Sequence, residues 1–289
     1  MDLKNLRALA TIADAGSFNA AAERLHLTPS AVTMQIKALE SELEQALFDR
    51  SVRPPALTRA GRAVLAHARE MLSLDARMRA EVSAGTELSG TLVLGVVPSV
   101  TTGVLPGVLA RLNRLYPRLQ LRVETGLSAD LSRRVAQGEL DAAVVTQSAP
   151  LDAGLIGQVV LTEALAVVTH VDEPGADAAS LLAELPFIRF NRMTGIGQII
   201  DRALAERGIS VRESMELDSI EAMLLMAAYR LGVTIVPERS VTNAMRPALK
   251  VQPFGSPPVE RRVVLVTRRS SSQERYGRAL YEQLRAEVV

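Results

Sequence analysis

Several residue types that support particular chemistries are absent or rare in this chain. Its 289 residues include no cysteine and no tryptophan, and aromatic residues make up only 3% of the total. The absence of cysteine excludes disulfide bonds, thiolate metal sites and cysteine-based redox sensing. The three histidines, His26, His67 and His170, are far apart in sequence and form no metal-ligand motif. We therefore expect neither a metal nor a cofactor.

Long apolar runs are also missing. Asp2, Lys4 and Arg7 interrupt the apolar residues at the N-terminus, which is not the pattern of a secretory signal. No run approaches the ~20 residues that a membrane span needs. Hydrophobic content of 48% and charged content of 22% are typical of soluble globular proteins. These features predict a cytoplasmic protein of two or three domains, since 289 residues are long for one core.

An excess of positive charge, the usual signature of nucleic-acid binding, is not present. The formal net charge is +1, and residues 1–60 carry seven basic and seven acidic side chains. A DNA-binding surface must therefore arise from the placement of the charges. The nucleophile elbow, the phosphate-binding loop and the zinc-protease helix motif are also missing from the sequence. An α/β enzyme is consequently the weakest functional class for this chain.

The most informative pattern lies between Gly16 and Leu43. Ser17 is placed to cap a first short helix, and Thr28-Pro29 is an N-cap followed by an N1 proline, which starts a second one. Apolar residues of the second helix fall at helical spacing on one side: Val32, Ile36, Leu39 and Leu43. Opposite this stripe lie Ser30, Thr33, Met34 and Lys37. Spacing alone fits a helix-turn-helix or an ordinary amphipathic helix pair equally well.

A family resemblance decides between these two interpretations. Residues 1 to about 60 resemble the winged helix-turn-helix of LysR-type transcriptional regulators, and the resemblance extends over the whole chain. The matching stretches are Leu3–Arg7 (LKNLR), Gly16–Phe18 (GSF), Ala21–Thr33 (AAERLHLTPSAVT), Gln35–Glu40 (QIKALE), Leu47–Arg50 (LFDR) and Leu57–Gly61 (LTRAG). One position departs from the pattern, because the family often has arginine where this chain has Met34. Apolar contact with a thymine methyl group is the readout that methionine allows there.

The resemblance implies which residues contact DNA. The second helix would lie in the major groove, and Leu47 and Phe48 would hold a hairpin wing with arginines at its tip. Lys37 and the wing arginines would reach phosphates or the minor groove. The expected DNA-binding residues are Thr28, Pro29, Ser30, Thr33, Met34, Lys37, Arg50 and Arg53.

A long helix follows the wing. Thr58 is placed to cap a helix from about 59 to 84, and the stretch 85–90 (GTELSG) has the composition of a hinge. A heptad-like apolar stripe runs along this helix: Val64, Ala68, Met71, Met78 and Val82. In the family this helix links two subunits, so we expect the stripe to be buried between subunits.

From residue 91 strand and helix patterns alternate, which predicts a parallel α/β fold. The resemblance implies a two-lobed effector domain like a periplasmic binding protein. The expected domains are a winged helix-turn-helix at 1–60, a linker helix and hinge at 61–90 and an effector-binding domain at 91–289. Within the last of these, lobe I would comprise about 91–162 and 268–289, and lobe II about 163–267.

The predicted strand ends of this domain are rich in hydroxyl groups. Ligands of open α/β sheets bind outside the carboxyl ends of the strands, and helix N-termini with nearby hydroxyls suit a carboxylate or another small anion. Caps and turns explain any single one of these residues equally well. No Lys, Arg or His occurs from Val96 to Gly107, so hydroxyls and helix dipoles would have to neutralise the charge. The expected effector-binding residues are Ser99, Val100, Thr101, Thr125, Ser128, Thr146, Asn191 and Thr194.

These patterns together predict a ligand-responsive, DNA-binding transcriptional regulator with double-stranded DNA and a small anionic effector as partners. The resemblance also implies self-association into a dimer of dimers, a homotetramer. The alternative is a small-molecule binding protein without DNA-binding activity, which the Thr28-Pro29 helix start argues against.

Overall fold

The structure is a computed structural model that describes residues 2–49, 51–52, 54–83, 88–101, 103–175, 177–269 and 274–288. It divides into two compact units. The first comprises Met1–Gly90 with Gln137–Glu139, and the second comprises Thr91–Ala136 with Leu140–Val289. Arg50 and Arg53 lie outside the described residues, as do residues 85–87 of the expected hinge.

The described part of the first unit contains four helices and a two-stranded hairpin. Its elements are α1 (Leu3–Ala15), α2 (Phe18–Leu25), α3 (Pro29–Leu43), β1 (Phe48–Asp49), β2 (Ala56–Leu57) and α4 (Arg59–Ser83). Local sequence sets the helix starts as predicted. The Ser17 side chain accepts a hydrogen bond from the Ala20 N–H, and Thr28 accepts one from the Ala31 N–H. His26 adopts a φ of +55° in the turn between α2 and α3.

The helix-turn-helix is held by one apolar core. Val32, Ile36 and Leu39 of α3 are fully buried, as the predicted stripe requires. The small Ala21 and Ala22 of α2 are also buried there, so the helices pack closely. This core leaves the opposite face of α3 to solvent.

The wing is tied to α3 by a carboxylate. Strands β1 and β2 pair antiparallel, with Phe48 opposite Leu57. Glu40 on α3 accepts hydrogen bonds from the backbone N–H groups of Leu47 (2.9 Å) and Phe48 (3.3 Å). Phe48 also packs edge-on against Phe18, with ring centroids 5.0 Å apart. The wing therefore has a defined orientation relative to the helix-turn-helix.

The apolar stripe of α4 divides into two parts. Ala68 is buried in the core of the same unit, so the expectation that it lies between subunits is wrong, whereas Val64 is half-buried against that core. Met71 and Met78 are 38% and 57% exposed in this single chain. The side chain of Val82 lies outside the described residues. Only the later part of the stripe is thus free to meet another subunit.

The second unit alternates strands and helices. Its strands are β3 (Gly90–Val96), β4 (Leu119–Thr125), β5 (Ala142–Thr146), β6 (Leu155–His170), β7 (Pro186–Phe190), β8 (Arg212–Leu217), β9 (Val233–Pro237), β10 (Leu249–Pro253) and β11 (Glu260–Arg268). Its helices are α5 (Pro98–Thr101), α6 (Leu105–Leu115), α7 (Ser128–Ala136), α8 (Ala178–Glu184), α9 (Gly195–Glu206), α10 (Ile220–Ala228) and α11 (Glu274–Val288). The segment directly after β3 forms the short helix α5.

The strands form one mixed sheet, which corrects the expectation of a parallel one. Their order is β4-β3-β5-β11-β6-β9-β7-β8, and β10 pairs with β6 outside this path. Strands β3 and β5 are parallel, as are β7 and β8. Strand β11 is antiparallel to both β5 and β6 because the chain returns from the second lobe to the first.

The long strand β6 joins two lobes. Its first half pairs with β11 and its second half with β9 and β10. Each lobe has its own apolar core. Residues Val263 to Val266 of β11 are buried in the core of lobe I, so β11 belongs to lobe I and the expected boundary at 267/268 is wrong. The switch of partners on β6 places the lobe boundary near Ala164.

Candidate functional site

The solvent face of α3 is the first candidate site. Thr28, Pro29, Ser30, Met34 and Lys37 are all exposed, and Met34 is 71% exposed although its side chain is apolar. The hydroxyl of Thr28 lies 2.9 Å from that of Ser30. An exposed methionine on a helix otherwise lined with small polar groups offers a nonpolar contact point.

Thr33 differs from its neighbours on this face. It is half-buried, and its hydroxyl donates a 2.8 Å hydrogen bond to the Pro29 carbonyl in the preceding turn. The hydroxyl proton is therefore already used, while the oxygen can still accept a hydrogen bond. Towards a binding partner, Thr33 can therefore act only as a hydrogen-bond acceptor or through its methyl group.

The second candidate site is a cavity between the two lobes, which we call the hydroxyl cavity. It has a volume of about 70 Å³ and brings together five of the residues expected from the sequence. These residues are Ser99, Ser128, Thr146, Asn191 and Thr194. Apolar side chains including Val97, Phe190 and Ile196 complete much of its wall, together with the exposed Asp218.

Two hydroxyls in this cavity are buried and unpaired among the described residues. Neither the Oγ of Ser128 nor the Oγ1 of Thr146 has a hydrogen-bond partner in the part of the chain that the structure describes, and Thr146 is only 2% exposed. An unsatisfied buried hydroxyl costs about 1–3 kcal/mol. Ser128 is the first residue of α7 and Thr146 the last residue of β5. The cavity therefore presents two hydroxyl groups that a ligand or an ordered water can bind.

Asn191 and Thr194 have local partners. The Thr194 hydroxyl accepts from the Gly197 N–H (3.0 Å) and donates to the Asn191 carbonyl (2.6 Å), so it caps α9. The Asn191 side-chain oxygen accepts from the Met193 N–H, which leaves its NH₂ group as a donor. The first N–H groups of α9 have no intrahelical acceptors and lie at this end of the cavity. At Gly195 an added Cβ would come within 2.9 Å of Thr146, which shows how closely the lobes approach here.

Three expected residues are not in this cavity. Thr101 lies in α5, where its hydroxyl donates to the Pro98 carbonyl (2.6 Å), and it does not line the cavity. Thr125 is exposed at the end of β4, and the neighbouring Gly126 lines the cavity in its place. Val100 lines a different cavity on the other side of α5. The spacing of hydroxyl residues in the sequence does not show that Ser99 lines the cavity and that these residues do not. The difference arises because the segment folds as the helical turn α5 and not as a loop.

Sequence reasoning missed the cation near this site. Arg261 of β11 is 3% exposed; its Nε donates to Glu163 (2.5 Å) and its Nη1 donates to the Ser99 Oγ (2.9 Å). Burial lowers the pKa of Arg261, and the Glu163 carboxylate acts in the opposite direction. Arg261 pairs with Glu163 and does not itself line the hydroxyl cavity, so neutralisation by hydroxyls and helix dipoles stays a prediction. Arg261 is 162 positions from Ser99, so no local pattern could reveal the contact.

Among the described residues, no three or more histidine or acidic side chains are grouped so that they could hold a metal ion. No helix in the described ranges combines the length and the hydropathy needed to cross a bilayer.

Two family models match this chain. Residues 3–62 match the family described as bacterial regulatory helix-turn-helix protein, lysR family. Residues 85–289 match the LysR substrate binding domain.

Individual relatives cover most of the chain. The HTH-type transcriptional regulator CzcR of Bacillus anthracis is 34% identical over 248 residues, which is 83% of this chain and 82% of that protein. A probable RuBisCO transcriptional regulator of Cyanophora paradoxa is 30% identical over 253 residues, 84% of this chain and 78% of its own length. A full-length OxyR variant from Pseudomonas aeruginosa superimposes with a TM-score of 0.79 at 25% identity, covering 99% of this chain and 98% of that one. The chain belongs to the LysR family of DNA-binding transcriptional regulators and carries that family's effector-binding domain.

Proposed function

We propose that this regulator senses a small, singly charged anion, most simply a carboxylate, in the hydroxyl cavity. The observation that carries the proposal is the pair of buried, unpartnered hydroxyls on Ser128 and Thr146. Both can donate to a carboxylate, and hydrogen bonds to a charged group contribute about 1.5–3 kcal/mol each. The proposed role is regulatory and not enzymatic.

The surroundings of the two hydroxyls support an anion. The N-termini of α7 and α9 both adjoin the cavity, and helix N-termini favour negative charge. The Asn191 NH₂ group adds a further donor. Asp218 also lines the cavity, and its carboxylate disfavours anions with more than one charge. A cavity of about 70 Å³ fits the charged group of a ligand and little more of it.

The ligand would connect the two lobes. Ser128 and Thr146 belong to lobe I, whereas Asn191 and the start of α9 belong to lobe II. A molecule that binds both lobes favours their closed arrangement by its differential affinity for that state. Closure would then change the geometry of paired effector domains, and so the spacing or bending of the bound DNA.

The DNA-binding part of the proposal uses the solvent face of α3. Thr28, Pro29, Ser30, Thr33, Met34 and Lys37 would contact DNA, together with Arg50 and Arg53 of the wing. Subunits would pair through the exposed part of α4, around Met71 and Met78, and effector domains would pair further into a tetramer. Exposed apolar side chains of this size on one helix support such a partner surface.

A thermal-shift screen against small carboxylates tests the proposal. The panel would contain acetate, lactate, pyruvate and benzoate as single anions, and succinate and citrate as multiply charged controls. A ligand at 100 times its dissociation constant stabilises the fold by about 2.7 kcal/mol. We expect at least one singly charged compound to raise the melting temperature of the wild type and to lose this effect in Thr146→Val. Stabilisation by cations alone, or by anions in both proteins equally, would contradict the proposed site.

A further inference from the structure

A crevice lined by arginines lies where α9 of lobe II meets the segment that follows β5 and the start of β11. Its volume is about 640 Å³. The arginines are Arg202 and Arg207 of α9 and Arg262 of β11. The crevice shares no lining residue with the hydroxyl cavity. We call this space the arginine crevice.

Neutral groups hold two of these arginines in place. The Nη2 of Arg202 donates to the Ser148 carbonyl at 3.3 Å. The Nη1 of Arg207 donates to the Ala203 carbonyl, also at 3.3 Å, and its guanidinium lies 5.7 Å from the centroid of the Phe254 ring. A guanidinium has five N–H donors, so these contacts position the groups and leave most of their donors unused. None of these partners is a carboxylate that would neutralise the positive charge.

The carboxylates of the crevice are also unpaired. Glu206 and Glu260 line it, yet within the described ranges neither forms an ion pair with an arginine. The Arg262 side chain makes no hydrogen bond to any described residue. Elsewhere the chain does pair its arginines, since the Arg189 guanidinium contacts two carboxylates. Three guanidinium groups and two carboxylates therefore line the crevice separately, and each is available to a ligand.

This set of charges matches a phosphate ester. Guanidinium groups donate paired hydrogen bonds to phosphate oxygens, and a phosphate monoester carries a charge of about −1.5 to −2 near pH 7. Carboxylates repel a phosphate but accept hydrogen bonds from hydroxyl groups. Ligand pockets have volumes of about 300–1,000 Å³, so the crevice has room for a whole small molecule. Its wall therefore favours a phosphate that is attached to a hydroxyl-bearing body.

We infer that the arginine crevice binds a phosphate monoester of a small hydroxylated molecule, such as a sugar phosphate. The phosphate accepts hydrogen bonds from Arg202, Arg207 and Arg262, and the hydroxyls donate to Glu206 and Glu260. The ligand touches α9 of lobe II and the segment after β5 of lobe I, so its binding is expected to depend on how the lobes are arranged. This inference does not depend on the hydroxyl cavity being an effector site.

A thermal-shift comparison on the full chain tests the ligand class. Glucose 6-phosphate, ribose 5-phosphate and glycerol 3-phosphate are each compared with the unphosphorylated parent and with inorganic phosphate, in dilute salt because exposed charges are screened. We expect at least one ester to raise the melting temperature more than inorganic phosphate does, and the parents to have no effect. If no ester exceeds inorganic phosphate, the inference is overturned.

Titration calorimetry with the best ester then locates the site. Arg202→Gln and Arg262→Gln should each weaken binding more than about tenfold. Arg212 is a matched control, because it is exposed, lies outside the crevice and, like Arg202, donates to a backbone carbonyl, that of Glu184. Arg212→Gln changes the net charge equally and should leave the affinity within about twofold.

Two further variants separate the alternatives. Glu206→Leu combined with Glu260→Leu should strengthen the binding of inorganic phosphate and reduce the advantage of the ester over it. Thr146→Val should not alter ester affinity, because that residue lines only the hydroxyl cavity of the two. Equal losses in Arg202→Gln and Arg212→Gln would reduce the effect to general charge attraction and refute the site. Loss of ester binding in Thr146→Val with normal binding in Arg202→Gln would place the ester in the hydroxyl cavity and overturn the inference.

Discussion

Replacing Thr146 by valine should stabilise the ligand-free protein and weaken ligand binding at the same time. Valine has nearly the shape of threonine but no hydroxyl, and the Thr146 hydroxyl is buried without a partner. Its removal relieves up to about 1–3 kcal/mol of desolvation cost, less if a water binds there. It also removes one hydrogen bond to a charged ligand, worth about 1.5–3 kcal/mol, which corresponds to a ten- to hundredfold loss of affinity.

The chain offers a matched control. Thr234 on β9 is also fully buried, but its hydroxyl donates a 3.0 Å hydrogen bond to the Ile188 carbonyl in lobe II. Thr234→Val therefore breaks a satisfied hydrogen bond and should destabilise the fold by about 1 kcal/mol. Because Thr234 does not line the hydroxyl cavity, ligand affinity should stay unchanged.

Two measurements are needed for each variant. Urea denaturation without ligand gives the change in the free energy of unfolding, and titration calorimetry with the carboxylate found by screening gives the change in affinity. Opposite signs for stability in the two variants, with affinity lost only in Thr146→Val, are the expected result. A Thr146→Val protein that is destabilised as much as Thr234→Val and binds ligand normally would refute the argument from unpartnered hydroxyls.

Further predictions concern DNA, assembly and lobe contact. Met34→Ala should change which bases are preferred in a binding-site selection, whereas Lys37→Ala should weaken all sequences alike and reduce the salt slope by about one. In light scattering, Met78→Glu should shift the protein towards monomer, while Ala68→Glu should unfold the helix-turn-helix unit instead, because Ala68 is buried within its own chain. Gly195→Ala should weaken anion binding by calorimetry, because the added Cβ meets the end of β5 at 2.9 Å. An unaltered oligomer in Met78→Glu, or unaltered anion affinity in Gly195→Ala, would contradict these assignments.

Local features were predictable from the sequence because their causes are local. The caps at Ser17 and Thr28 depend on residues within three positions, and the buried face of α3 depends on helical spacing. Only the second half of strand β6 has a buried apolar run that marks a strand in the sequence. Its first half, from Leu155 to Val159, is mostly exposed and mixes glycine and polar residues, so neither an apolar run nor an alternating pattern marks it.

Features that depend on distant parts of the chain were not predictable. The Arg261 guanidinium reaches Ser99 only because β11 returns to lobe I and lies next to β5. In the sequence the apolar stripe of α4 looks like one continuous surface. In the structure Ala68 is buried in the core of its own unit, whereas Met78 is exposed. Periodicity shows that a helix has an apolar side but cannot show which protein surface covers it.

An anion in the hydroxyl cavity is expected to control how this regulator binds DNA. Footprinting on the DNA flanking its own gene, with and without the carboxylate found by screening, tests it most directly. For the wild type, saturating ligand should change the length or the hypersensitive positions of the footprint, whereas Thr146→Val at the same concentration should keep the ligand-free pattern. Identical wild-type footprints with and without ligand, at a concentration where calorimetry shows the site to be full, would contradict the account.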